Sequence, residues 1–88
     1  MKVYLVHNEY YDHNEYTCGS ILLGIYSSAE SAIAARNKFV ELELEEASGM
    51  NCPAQASFDA DNNPVVTKFS KGEPIEDCTF TIEEWDVK

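Results

Sequence analysis

Two histidines and three acidic residues lie within nine positions near the start of the chain, in the tandem repeat HNEYYDHNEY of residues 7–16. Imidazole nitrogens and carboxylate oxygens bind divalent metals, and a bend between a strand and a loop would bring the two copies together. The metal hypothesis would use His7, Glu9, Asp12 and His13. However, the spacing matches no zinc or iron motif, so we favour a solvated strand end and predict no metal and no other cofactor.

The repeat also contributes three tyrosines, Tyr10, Tyr11 and Tyr16. Tyrosine is enriched in protein interfaces because its ring supplies contact area while its hydroxyl group tolerates water. We therefore predict that these residues are partner-binding anchors. The alternative is that one or two of them cover the edge of the hydrophobic core.

A second acidic segment, residues 59–63, resembles the beginning of a calcium-binding loop. The pattern then fails, because Pro64 stands where the loop needs glycine and Ser70 stands where it needs a bidentate glutamate. A hairpin turn is the better prediction, since Asp, Asn and Pro are common turn residues.

Signals of catalysis are weak in this chain. It has no glycine-rich phosphate loop, and no serine lies in a nucleophile-elbow sequence. The three cysteines, Cys18, Cys52 and Cys78, are an odd number without C-x-x-C spacing, which favours reduced thiols over a disulfide framework. We therefore predict a binding protein and not an enzyme.

The acidic residues are distributed unevenly. The chain carries 16 acidic and 6 basic residues, a formal net charge of −10. Residues 1–40 hold four acids and three bases, whereas residues 41–88 hold twelve acids and three bases, so the second part carries −9 of the total. Net charge informs partners and solubility rather than fold. It predicts a partner with a basic surface.

Several of these acids occupy the end of a predicted helix. Glu41, Glu43, Glu45 and Glu46 would lie in its last turns, where the helix dipole is already negative and each carboxylate costs roughly 0.3–1 kcal/mol. A partner that supplies cations would offset this cost. The predicted partner-binding carboxylates come from this helix and from the last strand: Glu41, Glu45, Glu46, Glu83, Glu84 and Asp86. The alternative is a solvated face that only keeps the protein soluble.

Alternating apolar residues and turn signals predict one helix and five strands. The helix is expected at residues 28–46, with Ser27 as N-cap. In the last strand the apolar residues Phe80 and Ile82 would lie on one face, whereas Trp85 and Val87 would lie on the other. This change of face predicts a bulge near residues 83–84. Strands are expected at residues 2–10, 20–26, 56–59, 65–69 and 79–87.

The first hairpin and the helix carry more detailed expectations. Residues 11–19 are predicted to form a long loop, and Ile21, Leu23 and Ile25 are predicted to share one face of the second strand. The helix should pack on a sheet through apolar residues at three- and four-residue spacing. The order β-β-α-β-β-β predicts a single α+β domain over residues 1–88, with one helix packed on a small antiparallel sheet.

Three segments of the chain form a recognisable set. They are the opening strand MKVYLVH at residues 1–7, the strand end and helix start LGIYSS at 23–28, and the acidic closing strand FTIEEW at 80–85. The set resembles a group of short, uncharacterised bacterial and phage proteins, and the resemblance implies an arrangement of strands and helix without a known activity. The insertion between Ser48 and Asp77 departs from that group. The size and acidity of the chain are also similar to those of phage anti-CRISPR proteins.

These observations predict a non-enzymatic, phage-type inhibitor. It would bind a basic nucleic-acid-handling protein complex, for example a CRISPR effector, through its acidic face and block nucleic-acid binding, without itself binding nucleic acid or membrane. The alternative is a generic interaction or oligomerisation module with no nucleic-acid mimicry. The sequence shows no signal peptide and no long apolar stretch, so we expect a cytoplasmic protein, in the host cytosol if it is phage-encoded.

Overall fold

Five strands and one helix account for most of residues 1–87, the part of the chain that the computed structural model describes. The strands form one antiparallel sheet in the order β2-β1-β5-β4-β3. This confirms the predicted α+β class, the element order and the packing of one helix on an antiparallel sheet. In chain order the elements are β1 Lys2–Asp12, β2 Thr17–Tyr26, α1 Ala29–Gly49, β3 Ala54–Phe58, β4 Pro64–Ser70 and β5 Glu73–Asp86.

The helix covers one side of the sheet, which we call the helix side. Val6 of β1, Val66 of β4, and Cys78 and Phe80 of β5 are buried there, because alternate residues of a strand point to the same side. The opposite side, which we call the open side, has no helix over it among residues 1–87. The partly buried residues that pack against the core on the helix side are Tyr10, Leu23, Phe39, Val40, Leu44 and Ala54.

The helix begins one residue later than the sequence predicts. The Ser28 side chain accepts a hydrogen bond from the Ser31 backbone N–H at 3.2 Å, so Ser28 and not Ser27 is the N-cap. Ile33 and Leu42 are exposed although the apolar pattern predicts them in the packed face, because the sheet covers only one side of the helix. No helix among residues 1–87 is long and apolar enough to cross a membrane.

The last strand, β5, is uninterrupted over 14 residues. Its pairing with β1 runs without a register shift from Lys2 opposite Asp86 to Asp12 opposite Glu76, so the bulge predicted near residues 83–84 is wrong. Trp85 lies on the open side instead, where its ring nitrogen donates a hydrogen bond to the adjacent open-side carboxylate of Glu83 at 2.6 Å. The apolar residues of β5 are therefore divided between the two sides of the sheet.

The β1–β2 hairpin closes through a four-residue turn, 13–16, where the sequence predicts a long loop. Asp12 Oδ1 accepts hydrogen bonds from the backbone N–H groups of Asn14 and Glu15 at 2.8 and 3.2 Å. Tyr16 completes the turn with a φ of 56°, in the left-handed region. The prediction of a long loop is wrong because this local capping lets both strands extend by several residues.

A bulge in β2 places the apolar residues of that strand on different sides of the sheet, where the sequence predicts that they share one side. Leu23 is the extra residue, since Leu22 lies opposite His7 and Gly24 lies opposite Val6. An extra residue changes the side to which the following side chains point. Ile25 therefore lies on the open side while Leu23 packs on the core, and the prediction of one shared face is wrong.

The β3–β4 hairpin is confirmed around residues 59–63. Asp59 Oδ1 accepts hydrogen bonds from the backbone N–H groups of Asn63 and Asp61 at 2.8 and 3.0 Å. These bonds, chiefly the one from Asn63, lower the pKa of Asp59 because they favour its charged form. The Asp59 carboxylate therefore closes the turn of the hairpin.

Candidate functional site

The tandem repeat lies along β1 and the turn that follows it. Its two histidines each contact an acid of β5: His7 Nε2 is 3.5 Å from Glu83 Oε2, and His13 Nε2 is 2.8 Å from Asp77 Oδ2. The ring of Tyr11 meets the ring of His13 edge to face, with 4.8 Å between their centroids. These side chains of the repeat therefore connect the β1–β2 hairpin to β5.

The same geometry contradicts the metal hypothesis for the repeat. β1 is extended through both His7 and Asp12, so their Cα atoms are about 16 Å apart at roughly 3.3 Å per residue. Ligands of one ion must each lie about 2.0–2.3 Å from it. The strand does not bend the two copies together, and His7, Glu9, Asp12 and His13 form no common site.

A largely buried ion cluster, which the sequence does not predict, lies between α1 and strands β4 and β5. Lys68 Nζ is 2.5 Å from Glu43 Oε1 and 3.4 Å from Glu76 Oε1. The Cys78 thiol donates a hydrogen bond to the same Glu76 oxygen at 3.4 Å. The Lys68 and Glu43 side chains are only 18% and 19% exposed. Two carboxylates therefore share one partly buried cation.

The spacing of residues in the sequence is the signal from which this cluster could have been predicted. The sequence groups Glu43 with the solvent-facing acids of the helix end, but Glu43 follows Phe39 by four residues and Val40 by three. Residues at these spacings share one face of a helix, and here that face is covered. Likewise, Lys68 follows the buried Val66 by two positions and lies on the same side of β4.

The cluster stabilises particular protonation states of its members. Burial alone would lower the pKa of Lys68, but the hydrogen bond and charge of Glu43, together with the charge of Glu76, raise it above the usual 10.5. Burial, followed by the charge of Glu43, raises the pKa of the Cys78 thiol to about 12. At neutral pH the ammonium group is therefore charged and the thiol is protonated.

The cluster also contains a possible set of metal ligands. One ligand atom from each of Glu43, Glu76 and Cys78 lies within 4.8 Å of the others. However, the Lys68 ammonium group already contacts both carboxylates, and the protonated thiol is a poor ligand because metals bind the thiolate. We therefore interpret the cluster as structural.

We expect the cysteines to react with iodoacetamide at very different rates. At pH 8 the exposed Cys18 should be alkylated readily, whereas the buried Cys78 should stay unmodified in the folded protein. Only the thiolate reacts, and with a pKa of about 12 only roughly one Cys78 thiol in ten thousand is ionised at pH 8. Timed alkylation followed by peptide mass spectrometry measures both rates. In guanidinium chloride the two should become similar; fast native labelling of Cys78 would contradict its burial.

The six predicted partner-binding carboxylates do not form one continuous surface. Alternation along β5 from the buried Phe80 places Glu84 and Asp86 on the helix side and Glu83 on the open side. Glu84 is eight residues from Glu76, about 26 Å along the strand, and Glu76 lies beneath the second half of the helix. The strand-end group is thus separated from the helix group of Glu41, Glu45 and Glu46.

Two of the strand-end acids, Glu83 and Glu84, already have partners within the domain. Lys2 Nζ is 3.4 Å from Glu84 Oε1, and the Tyr4 hydroxyl donates a hydrogen bond to the same oxygen at 3.2 Å. Partial burial and then this hydrogen bond raise the pKa of Tyr4. Glu83 accepts the hydrogen bond from Trp85 described above. These contacts reduce the charge that the strand end offers to another molecule.

The three tyrosines of the repeat have different environments. Tyr10 packs against the core, and its ring lies so close to Gly19 that no Cβ atom would fit there. Tyr11 is partly exposed, and Tyr16 in the turn is 81% exposed. Tyr11 and Tyr16 are therefore available to a partner, while Tyr10 covers the edge of the core.

The last turns of α1 present an exposed leucine among three carboxylates. Leu42 is 45% exposed, and Glu45 and Glu46 follow it at the three- and four-residue spacings that make helix neighbours. Lys38 Nζ is 3.8 Å from Glu41 Oε2, whereas no ion pair among residues 1–87 involves Glu45 or Glu46. We call Glu41, Leu42, Glu45 and Glu46 the acidic helix surface.

The acidic helix surface combines unpaired charge with an exposed apolar side chain. No cavity was found among residues 1–87, so the candidate site is a surface and not a pocket. Comparisons of the chain with protein-family profiles, with curated protein sequences and with solved structures found no match. The arrangement of groups on this surface is therefore the basis for a functional proposal.

Proposed function

We propose that the domain is a non-enzymatic inhibitor that binds a basic, nucleic-acid-handling protein through the acidic helix surface. Carboxylates that occupy a basic groove exclude nucleic acid from it by competition. The observation that carries this proposal is the exposed Leu42 beside Glu41, Glu45 and Glu46. In protein interfaces a buried apolar centre is commonly surrounded by a polar rim.

The energetics of the isolated helix support the proposal. The last turn of α1 contains Glu46 and no basic residue, so the helix dipole makes this carboxylate unfavourable by roughly 0.3–1 kcal/mol at low salt. Glu41 and Glu45, four positions apart, repel each other by roughly 0.2–0.5 kcal/mol more. Arg and Lys side chains of a partner would turn both costs into attraction.

The spacing of the carboxylates suits a groove that evolved for phosphates. Glu41 and Glu45 are about 6 Å apart along the helix axis, close to the roughly 6.8 Å of axis between every second charge of one DNA strand. A standard interface of about 800 Å² per partner is roughly 30 Å across. An interface centred on the acidic helix surface therefore extends about 15 Å from its centre, so Glu84 and Asp86 lie outside it, as does Glu83 on the open side.

The class of partner follows from charge and from the profile of the chain. The surface recognises cations at phosphate-like spacing, and electrostatic attraction of this kind gives fast, salt-sensitive association. The size and acidity of the chain are similar to those of phage anti-CRISPR proteins. A bacterial defence complex such as a CRISPR effector is therefore the first partner to test.

We expect the domain to displace basic proteins from DNA, and we expect the double variant Glu45→Gln/Glu46→Gln to do so about tenfold less well. Two exposed ion pairs contribute roughly 0.2–1 kcal/mol each, and a factor of ten corresponds to about 1.4 kcal/mol. The measurement uses DNA-cellulose loaded with bacterial lysate. Wild-type and variant domains are titrated at low salt, and the released proteins are identified by mass spectrometry.

The matched control is Glu9→Gln/Glu15→Gln, which removes the same two charges elsewhere. Glu9 lies on the open side and Glu15 in the 13–16 turn, and both are exposed. This control should release the same proteins as the wild type. Equal losses in the two double variants would show that total charge alone acts, and no release by the wild type would reject this class of partner.

A further inference from the structure

The strand β2 forms one edge of the sheet and carries no charged residue. Its outer backbone groups have no strand partner among residues 1–87, because β2 is first in the order β2-β1-β5-β4-β3. The strand reads TCGSILLGIY over ten residues, in a chain of which 25% is charged. Proteins usually protect such an edge with lysine, proline, a short strand or a covering element.

The other edge strand, β3, is protected in a way that β2 is not. β3 has only five residues, and it lies between Pro53 and the acidic turn that begins at Asp59. The one irregularity of β2 is the bulge at Leu23, which leaves residues 17–22 in regular register with β1. Six regular residues match the usual length of a strand.

Apolar side chains of β2 are exposed on both sides of the sheet. Ile21 lies on the helix side and is 50% exposed, while Leu22 and Ile25 lie on the open side at 49% and 60%. Ile25 is opposite Leu5 of β1, and Trp85 of β5 lies on the same side nearby. The edge therefore offers backbone hydrogen bonding together with apolar burial.

Charge determines which partner fits this edge. A basic partner gains no ion pair from β2, because β2 has no carboxylate. A second copy of the chain, with a net charge of −10, is repelled by the surfaces that carry carboxylates but not by this uncharged edge. Pairing of two β2 strands would place the two β1 strands about 14 Å apart and the two β5 strands about 24 Å apart. The Debye length is about 8 Å at physiological salt, so the repulsion between these acids is largely screened.

We propose that two copies of the chain associate by antiparallel pairing of their β2 strands through residues 17–22, forming one ten-stranded sheet. A two-fold axis perpendicular to the sheet relates the copies, as expected for an isologous dimer. Both helices then lie on the same side, and Ile21 and Leu22 pack against side chains of the second β2. The acidic helix surface lies on α1 and not on this edge, so the dimer does not depend on the proposed function.

The variant Ile21→Lys tests the proposal by placing a lysine of each copy at the paired edge. Sedimentation equilibrium of the wild-type chain should give twice the 9.9 kDa mass of the monomer. Ile21→Lys should raise the dimer dissociation constant at least tenfold, because a charged side chain opposes strand addition. The matched control is Phe58→Lys, at a residue that is 68% exposed on β3, and it should leave the constant unchanged.

Salt distinguishes this association from the proposed partner binding. Dimerisation should strengthen as salt is raised from about 0.02 M to 0.5 M, because the repulsion between two acidic copies is screened, whereas binding to a basic partner should weaken. A monomeric wild type at millimolar concentration, or equal effects of the two lysine variants, overturns the proposal. If Ile21→Lys does not fold, hydrogen exchange of the wild type decides: the amides of residues 17–22 that point away from β1 must gain protection with protein concentration, and unchanged protection overturns the proposal.

Discussion

Replacement of Lys68 by methionine is expected to destabilise the domain by about 1–3 kcal/mol, less than the cost of breaking a fully buried ion pair, because the Glu76 side chain is 36% exposed. In the native protein the Lys68 ammonium group contacts Glu43 and Glu76, and the Lys68 and Glu43 side chains are largely buried. Methionine fills a similar volume but leaves two carboxylates facing each other without a cation. Urea denaturation at pH 7 measures the loss.

The pH dependence of the stability difference between the wild type and Lys68→Met separates a charge effect from a packing effect. A packing effect does not change with pH, whereas the contribution of the Lys68 charge should decrease at strongly alkaline pH. In the wild type the interactions of the Lys68 ammonium group stabilise the folded state fully at pH values below 10.5, the pKa of an ordinary lysine. This stabilisation is lost only as pH rises through the higher pKa of Lys68 in the folded protein.

Two further variants serve as controls for the Lys68 prediction. Lys38→Met removes an exposed lysine that is 3.8 Å from Glu41, and it should cost less than about 1 kcal/mol. The double variant Lys68→Met/Glu43→Gln should recover part of the lost stability, because one of the two opposed charges is removed. If Lys68→Met costs no more than Lys38→Met, the buried cluster does not contribute as the geometry indicates.

Replacement of Phe80 by alanine is expected to cost about 3–5 kcal/mol, as found for large buried aromatic residues. Phe80 is 2% exposed and packs with Val66 and Cys78 in the centre of the core. A domain of 88 residues has a total stability of roughly 4–13 kcal/mol at 0.05–0.15 kcal/mol per residue. The variant should therefore lose between about a quarter and all of the stability of the domain.

Thermal and urea unfolding followed by circular dichroism measure the Phe80→Ala effect. The matched control is Phe58→Ala, because Phe58 is also a strand phenylalanine but is 68% exposed. The loss of stability in Phe58→Ala should be below about 1 kcal/mol, since folding buries little of the apolar surface of Phe58. Similar losses for the two variants would contradict the assignment of the core to the helix side of the sheet.

The existence and order of the elements could be predicted from local patterns. In β1, Val3 and Leu5 alternate with Tyr4 and Val6, and the structure places these pairs on opposite sides of the sheet. The apolar residues of α1 recur at helical spacing. Such periods depend only on the geometry of a strand or a helix, so they are readable without tertiary structure.

Strand lengths and faces could not be predicted in the same way. Residues 73–78 contain Pro74 and several acids that favour turns, yet they belong to β5, because neighbouring β4 pairs with them and β1 joins from Glu76 onward. Tertiary pairing commonly overrides strand propensity. The bulge at Leu23 likewise arises from how β2 fits against β1, and it moves Ile25 to the open side.

The sequence by itself determined the charge of this protein, the helix that carries many of its acids and the alternation of its strands. Only the tertiary structure decided which acids are available to a partner. Glu43 is largely covered and lies beside Lys68, while Glu45 and Glu46 are exposed around Leu42. The physical reason is that the spacing of residues along a helix determines which of them share a face. Packing against the sheet determines which face is covered and which cation lies beside its carboxylates.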